Sequence, residues 1–162
     1  MTGMTTMILY RLLIIVATLL LMEVAVTLFH RYVMHGFGWG WHASHHQSGK
    51  TPAWEKNDLY AIVFAGATIV LFALGDKHAP LWWVAFGITL YGLLYGILHD
   101  VLIHRRLPFK WKPRNRYLQR LIKAHYLHHA VKTREDGVSF GFLYAPPLES
   151  IRSRLRRNGP PK

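Results

Sequence analysis

The chain contains no cysteine. That excludes disulfides, thiolate zinc sites, iron–sulfur clusters and cysteine nucleophiles together, and leaves the redox compartment open. Acidic residues are scarce: 8 Asp and Glu stand against 20 Lys and Arg, for a formal net charge of +12. Charged residues make up only 17% of the sequence and hydrophobic ones 51%, which excludes a disordered polyelectrolyte. The HExxH pattern of zinc proteases is missing, as is the Glu-x-x-His of carboxylate-bridged di-iron bundles. With 162 residues the chain can build one core and not two, so residues 1–162 are expected to form a single membrane-embedded domain.

What is abundant is apolar sequence in long runs. Met7 to Phe29 carries only Arg11 and Glu23 as charges, while Leu59 to Leu74 and Leu81 to Leu98 carry none. A bilayer core of about 30 Å takes about 17 to 25 helical residues, so the first and third runs suffice and the second recruits Asp58 and Gly75. The expected fold class is an all-α integral membrane protein. Its transmembrane helices fall at about 7–29, 58–75 and 81–98, followed by a cytosolic histidine-box and basic region at 99–157 and a frayed tail at 158–162. A cleaved signal peptide accounts poorly for the first run, which lacks a basic start before Arg11 and is too long. Soluble buried helices would leave too little polar surface to cover them.

Charge sets the orientation. Up to His104 there are 5 basic and 5 acidic residues, and after it 15 and 3. With the N-terminus outside, Arg11 and Lys77 face outward and the other 18 basic residues face the cytosol, as the positive-inside bias requires. Topology and contact with anionic membrane lipids account for the basic region. No nucleic-acid recognition motif accompanies it, so nucleic acid is not an expected partner. Within it, Tyr117 to Ala130 and Leu148 to Arg157 have helical apolar spacing suited to amphipathic helices lying on the membrane, separated by Pro146-Pro147.

Histidine is the outlier, with 11 in the chain and ten of them in four clusters. These are His30 and His35, then His42, His45 and His46, then His99 and His104, and last His125, His128 and His129, in the forms HxxxxH, HxxHH, HxxxxH and HxxHH. Residues at i, i+3 and i+4 share a helix face, so each HxxHH can present two imidazoles to one point. The i, i+5 pairs lie about 140° apart on an ideal helix and converge only at a helix end or a π-bulge. All ten fall on the cytosolic side of the expected topology. His78 lies in the outer turn and serves as an internal control. Ten imidazoles are too many for one tetrahedral zinc, but they can hold two metals of higher coordination with positions left open.

The boxes and the words around them, HRYVMHG (30–36), GWHASHH (40–46), HDVLIHRR (99–106), AHYLHHAV (124–131) and VSFGFLYAPP (138–147), resemble the membrane fatty-acid hydroxylase and desaturase superfamily, and within it the bacterial carotene-hydroxylating branch. The likeness runs from Glu23 to Pro147. It implies a non-haem di-iron monooxygenase using two Fe held by the ten histidines, O2 as co-substrate and reduced ferredoxin as electron donor. The implied reaction places a hydroxyl at C3 of each β-ionone ring of β-carotene, passing through β-cryptoxanthin to zeaxanthin. Plant relatives carry an added plastid-targeting segment that is not visible here, so a bacterial inner membrane is expected. Two alternatives remain open: a hydroxylase or desaturase of another lipid, fatty acyl or sterol, and a membrane metal carrier. A carrier needs ligands along a path across the membrane, whereas here they crowd one side.

Two acidic residues are candidates for positions behind the metal ligands. Glu23 is costly inside an apolar span and lies two turns before His30, from where it could accept a hydrogen bond from a histidine. Its alternative is a protonated side chain bonded to a neighbouring helix. Asp100, next to His99, is the second. Trp39, Trp41, Trp82 and Trp83 read as membrane-interface anchors, and Gly36, Gly38 and Gly40 as a tight turn between two boxes.

Overall fold

The computed structural model describes residues 2–47, 54–75, 77, 80–108 and 111–158. Among them there are helices and turns but no strand. The first apolar run forms α1 (Thr2–Phe29), which continues into a π-helical segment, His30–Phe37, kinked at Gly36, so that the apolar helical stretch Gly3–Phe37 covers 35 residues. Its side chains are apolar all round, and Leu9, Leu13, Leu20 and Leu21 are each more than 60% exposed. A helix of this kind belongs in lipid. A short α2 (Trp39–His42) and a 3-10 turn (Ala43–His46) follow.

The other two apolar runs form α3 (Asp58–Leu74) and α4 (Pro80–Tyr95), the latter extended by a second π-helical segment, Gly96–Ile103. Pro80–Ile103 is 24 residues long and can cross a bilayer. Helix α3 has 17 residues, about 25 Å by helical rise, and Gly75 closes it with its N–H on the Leu71 carbonyl at 3.0 Å. Two of the three expected spans are therefore long enough by themselves. Both run beyond their expected ends because the helix continues, in altered pitch, through the histidine boxes. Helix α4 packs against both α1 and α3. At Gly87 a Cβ would lie 2.8 Å from the Thr18 Cβ, so the missing side chain lets α1 and α4 touch.

Helices α5 (Arg116–His129) and α6 (Leu148–Asn158) form where the amphipathic spacing predicts them. Asn115 caps α5, its Oδ1 accepting from the N–H groups of Tyr117 at 2.8 Å and Leu118 at 3.2 Å. Their apolar faces do not need lipid. Leu121 and Ala124 of α5 meet Ile151 of α6, with Val138 and Ala145 between them, in a small core of their own. Each helix thus buries part of its apolar stripe against the other. Only α5 carries histidines. Of the expected frayed tail 158–162, Asn158 ends α6 and 159–162 lie outside the described residues.

Candidate metal centre

The first HxxxxH box lies in a π-helical segment, and the second runs from within the other to its C-cap, His104. The His104 N–H donates to the His99 carbonyl at 2.9 Å, and the Gly38 N–H donates to the Val33 carbonyl at 2.9 Å. These are the five-residue hydrogen bonds of a π-helix, which stack residues that an α-helix would splay. The His30 and His35 rings come to 5.2 Å and those of His99 and His104 to 4.5 Å. Gly36 leaves helical geometry at φ −110°, ψ −128° and turns the chain toward the next box. A Cβ on Gly38 would overlap the Tyr60 hydroxyl, which donates to the Gly38 carbonyl at 2.7 Å.

The histidines gather into two clusters. His30, His35, His42, His46 and His128 form one, and His45, His99, His104 and His125 the other, with the donor nitrogens of each within 4.8 Å of one another. Each HxxHH box contributes to both clusters, which keeps the clusters adjacent. His129 lies between them, stacked on His46 at 4.6 Å and 4.4 Å from the His125 ring, and its Nε2 is buried without a hydrogen-bond partner. Trp39, expected as an interface anchor, walls the first cluster, 5.1 Å from His35 and 5.3 Å from His46. Trp82 and Trp83 suit that role: they pack with Phe86 and Phe72 at the far end of α3 and α4, and Arg11 stacks over Trp83 at 4.9 Å.

The ring protons are assigned by their neighbours. In the first cluster the Nδ1 atoms of His30, His35, His46 and His128 meet the carbonyl oxygens of Phe140, Arg134, Val131 and Val138 at 2.7 to 3.1 Å, and His42 Nδ1 meets Asn57 Oδ1 at 2.8 Å. A carbonyl only accepts, so each Nδ1 carries the hydrogen and each neutral ring leaves Nε2 bare. Those bare atoms face one another: His30 to His42 and His46 to His42 at 3.1 Å, and His35 to His128 at 3.3 Å. In the second cluster His45 and His99 face at 3.0 Å and His104 and His125 at 2.9 Å.

Lone pairs pointed at each other at this distance repel unless a cation lies between them. Two nitrogens each about 2.1 Å from one ion, at right angles, are about 3.0 Å apart. The donor set therefore fits a metal of five or six coordination in each cluster.

Burial also keeps the rings neutral. It pushes His46 down to about 4 and His104 down to about 3, and it holds His42, His45, His125, His128 and His129 far below the usual imidazole value, with neighbouring imidazoles adding to the effect. Unprotonated imidazole is the form that binds metal.

Asp100 lies where its neighbour in sequence requires, with Oδ1 accepting from His99 Nδ1 at 2.7 Å. Glu23 has other partners than the histidine its spacing suggested. Its carboxylate accepts from the backbone N–H groups of Phe142, Leu143 and Tyr144, all at 2.9 Å, and from the Tyr91 hydroxyl at 2.8 Å. All four contacts are donors, so the carboxyl acts as an acceptor only. It holds the 138–145 strand of loop against α1 and α4. That loop supplies the Phe140 and Val138 carbonyls that orient His30 and His128, and between them Ser139 adopts φ 56°, a left-handed conformation costing about 1 to 2 kcal/mol. Glu23 thus acts on the histidines through backbone.

Sequence reasoning missed Glu55, Asn57 and Arg106. Glu55 is buried, accepts from His45 Nδ1 at 3.0 Å, and pairs with Arg106 at 2.9 Å. Arg106 also holds Asp58 at 2.7 Å. Burial pushes the Glu55 carboxyl up, against the lowering effect of Arg106. The signal was the pair of acids, Glu55 and Asp58, in a loop beside a histidine box in a chain so poor in acid. His78, the intended control, lies outside the described residues.

An apolar cavity of about 570 Å³ runs between α1, α3 and α4. Val26, Phe64, Ile69 and Ile88 line it within the bundle, and Asn57, Tyr95 and Asp100 line it on the side of the histidines. Those three touch the histidines directly: Asn57 holds His42, Asp100 holds His99, and Tyr95 stacks on His99 at 4.5 Å. The cavity thus ends at the back of both clusters.

Comparison with known proteins gives a consistent picture. Residues 15–146 match the model of the fatty acid hydroxylase family. The chain is 53% identical over 149 residues to the beta-carotene hydroxylase of Paracoccus sp. (strain PC1), covering 91% of each, and 54% identical over 145 residues to that of Pantoea ananas, covering 89% of this chain and 82% of the relative. It is 37% identical over 128 residues to beta-carotene hydroxylase 1, chloroplastic, of Capsicum annuum, covering 75% of this chain and 40% of that protein. No solved structure matches.

Proposed function

The chain belongs to the fatty acid hydroxylase family, and from that premise we propose that it hydroxylates β-carotene at C3 of each ring, through β-cryptoxanthin to zeaxanthin. The observation that carries this reading is the paired, bare Nε2 atoms at 3.0 to 3.3 Å, set at one end of an apolar cavity. His30, His35, His42, His46 and His128 would hold one iron. His45, His99, His104 and His125 would hold the other, with the orphaned Nε2 of His129 completing that set. When bound, the two irons supply activation of O2, one atom entering a C–H bond and the other leaving as water with two electrons from reduced ferredoxin.

The chain's own residues bind and orient. The Nδ1 partners keep every ring of the first cluster in one tautomer and one plane. Val26, Phe64 and their neighbours exclude water from the path to the reacting carbon. From Asp58 to Phe72 the cavity follows 15 residues of α3, a rise of about 21 Å. A C40 carotene, about as long as the 30 Å hydrocarbon core, would enter one ring first, with the other ring left in lipid. Each ring then needs its own entry. Expression in β-carotene-producing cells with pigment analysis tests the reading. Zeaxanthin is the expected product; untouched β-carotene together with a hydroxylated fatty acid or sterol would overturn it.

The same reading places the protein in the bacterial inner membrane, with α3 as a third span paired with α4 and the histidine boxes at the cytosolic face, where ferredoxin is available. The positive-inside distribution supports it. Because the chain has no cysteine, single cysteines report topology cleanly. A membrane-impermeant maleimide should label Lys77→Cys in intact spheroplasts and Arg157→Cys only after permeabilisation. The reverse pattern would separate the histidines from a cytosolic donor.

A further inference from the structure

The two histidine clusters are backed by different chemistry. Every Nδ1 of the first cluster donates to a neutral oxygen, four backbone carbonyls and the Asn57 amide. In the second, His45 donates to the Glu55 carboxylate at 3.0 Å and His99 to that of Asp100 at 2.7 Å. Arg106 pairs with Glu55 at 2.9 Å and with Asp58 at 2.7 Å, and its Nε lies 4.0 Å from Asp100. Three carboxylates against one guanidinium leave these surroundings negative. A carboxylate draws the Nδ1 hydrogen toward itself and makes Nε2 a stronger donor than a neutral carbonyl does. Negative charge close behind the ligands also attracts a divalent cation directly, in a buried setting where screening is weak.

We propose that the two metal sites are unequal by construction: the carboxylate-backed site formed around His45, His99, His104 and His125 fills first and binds a divalent ion more tightly than the carbonyl-backed site around His30, His35, His42, His46 and His128. Glu55 and Asp100 are then positioning residues that set metal affinity, and Asn57 marks the corresponding neutral place in the other site. This rests on the two-metal reading above. The size of the effect follows from what partners behind metal-bound histidines contribute elsewhere, about 10- to 100-fold in affinity.

Two separated binding steps alone would not establish the point, because a second cation entering near the first is repelled even between identical sites. The substitutions separate the two cases. If the carboxylate-backed site is intrinsically tighter, removing a carboxylate weakens the first step; if the sites are equal, the untouched site fills first and only the second step weakens. The experiment is an anaerobic titration of the metal-free full-length protein in detergent with cobalt(II), followed by visible absorption. Wild type should take up two ions in two steps. Asp100→Asn and Glu55→Gln should each lower the first-step affinity about tenfold or more and leave the second in place. Asn57→Asp, which adds a carboxylate behind His42, should raise the second step toward the first, and it carries the test even if a carboxylate-removing variant fails to fold. Variants at Asp100 and Glu55 that weaken the second step alone, or both steps alike, or an Asn57→Asp protein that gains in the first step, would overturn the inequality. Uptake of fewer than two ions by wild type would overturn the two-metal reading itself.

Discussion

His128→Ala should leave β-carotene unconverted, with hydroxylation reduced by about two orders of magnitude or more and iron content falling below two per chain. His128 is fully buried, with a relative exposure of 0%. Its Nδ1 donates to the Val138 carbonyl at 2.7 Å and its Nε2 faces that of His35 at 3.3 Å. Loss of the ring removes a donor from the first cluster and strips the Val138 carbonyl of its partner, a cost of about 1 to 3 kcal/mol. The protein must therefore be quantified by immunoblot, so that lost chemistry is separated from lost folding. His30→Ala, at a less buried position, repeats the test with less risk to the fold. His78→Ala, remote in sequence from every box, should be close to silent. Accumulated β-cryptoxanthin would mark a slowed enzyme and untouched β-carotene an inactive one. Wild-type zeaxanthin from His128→Ala at normal protein level would remove the first cluster from the mechanism.

The second large effect is expected at Glu23, which touches none of the histidines it influences. Glu23→Ala would leave the N–H groups of Phe142, Leu143 and Tyr144 and the Tyr91 hydroxyl without an acceptor. At about 1 to 3 kcal/mol for each unmet group that is shielded from water, as those of Phe142, Leu143 and Tyr91 partly are, this is enough to release the loop from the apolar bundle, where irregular backbone survives only while it is hydrogen-bonded. Release would withdraw the Phe140 and Val138 carbonyls from His30 and His128. Hydroxylation and iron occupancy should fall together, and amide hydrogen exchange over 138–145 should accelerate. Glu23→Gln keeps one acceptor oxygen but turns an amide N–H2 toward other donors, so an intermediate loss is expected. Wild-type exchange protection and full iron occupancy in Glu23→Ala would show that the loop is held by other contacts, such as Phe142 packing 4.7 Å from Tyr95.

Several structural features were legible in the residues because they depend on local periodicity. The i, i+5 spacing of His30/His35 and His99/His104 demanded a change of helical pitch, and a π-helical segment carries each box, with His104 as the cap of the second. Asp100 could be placed because it adjoins His99. The amphipathic stripes of α5 and α6 were equally plain. Their partner was not, since an apolar stripe is satisfied as well by a second helix as by lipid.

The family and the ten candidate metal donors were legible in the sequence by itself, because histidine boxes with these flanks are a chemical pattern that local helical geometry already half assembles. Which histidines share a cluster was decided only by tertiary structure. His42, His45 and His46 belong to one box, yet His45 turns away from the other two toward His99, as the 3-10 turn directs. The same holds for Glu23, whose partners are 68 and 119 to 121 residues away, and for Glu55 and Arg106, which meet across 51 residues of chain. Spacing predicts contacts within a helix turn, where backbone hydrogen bonds dictate them. Contacts between segments depend on how the helices pack and where the loops return, and only the folded chain determines those.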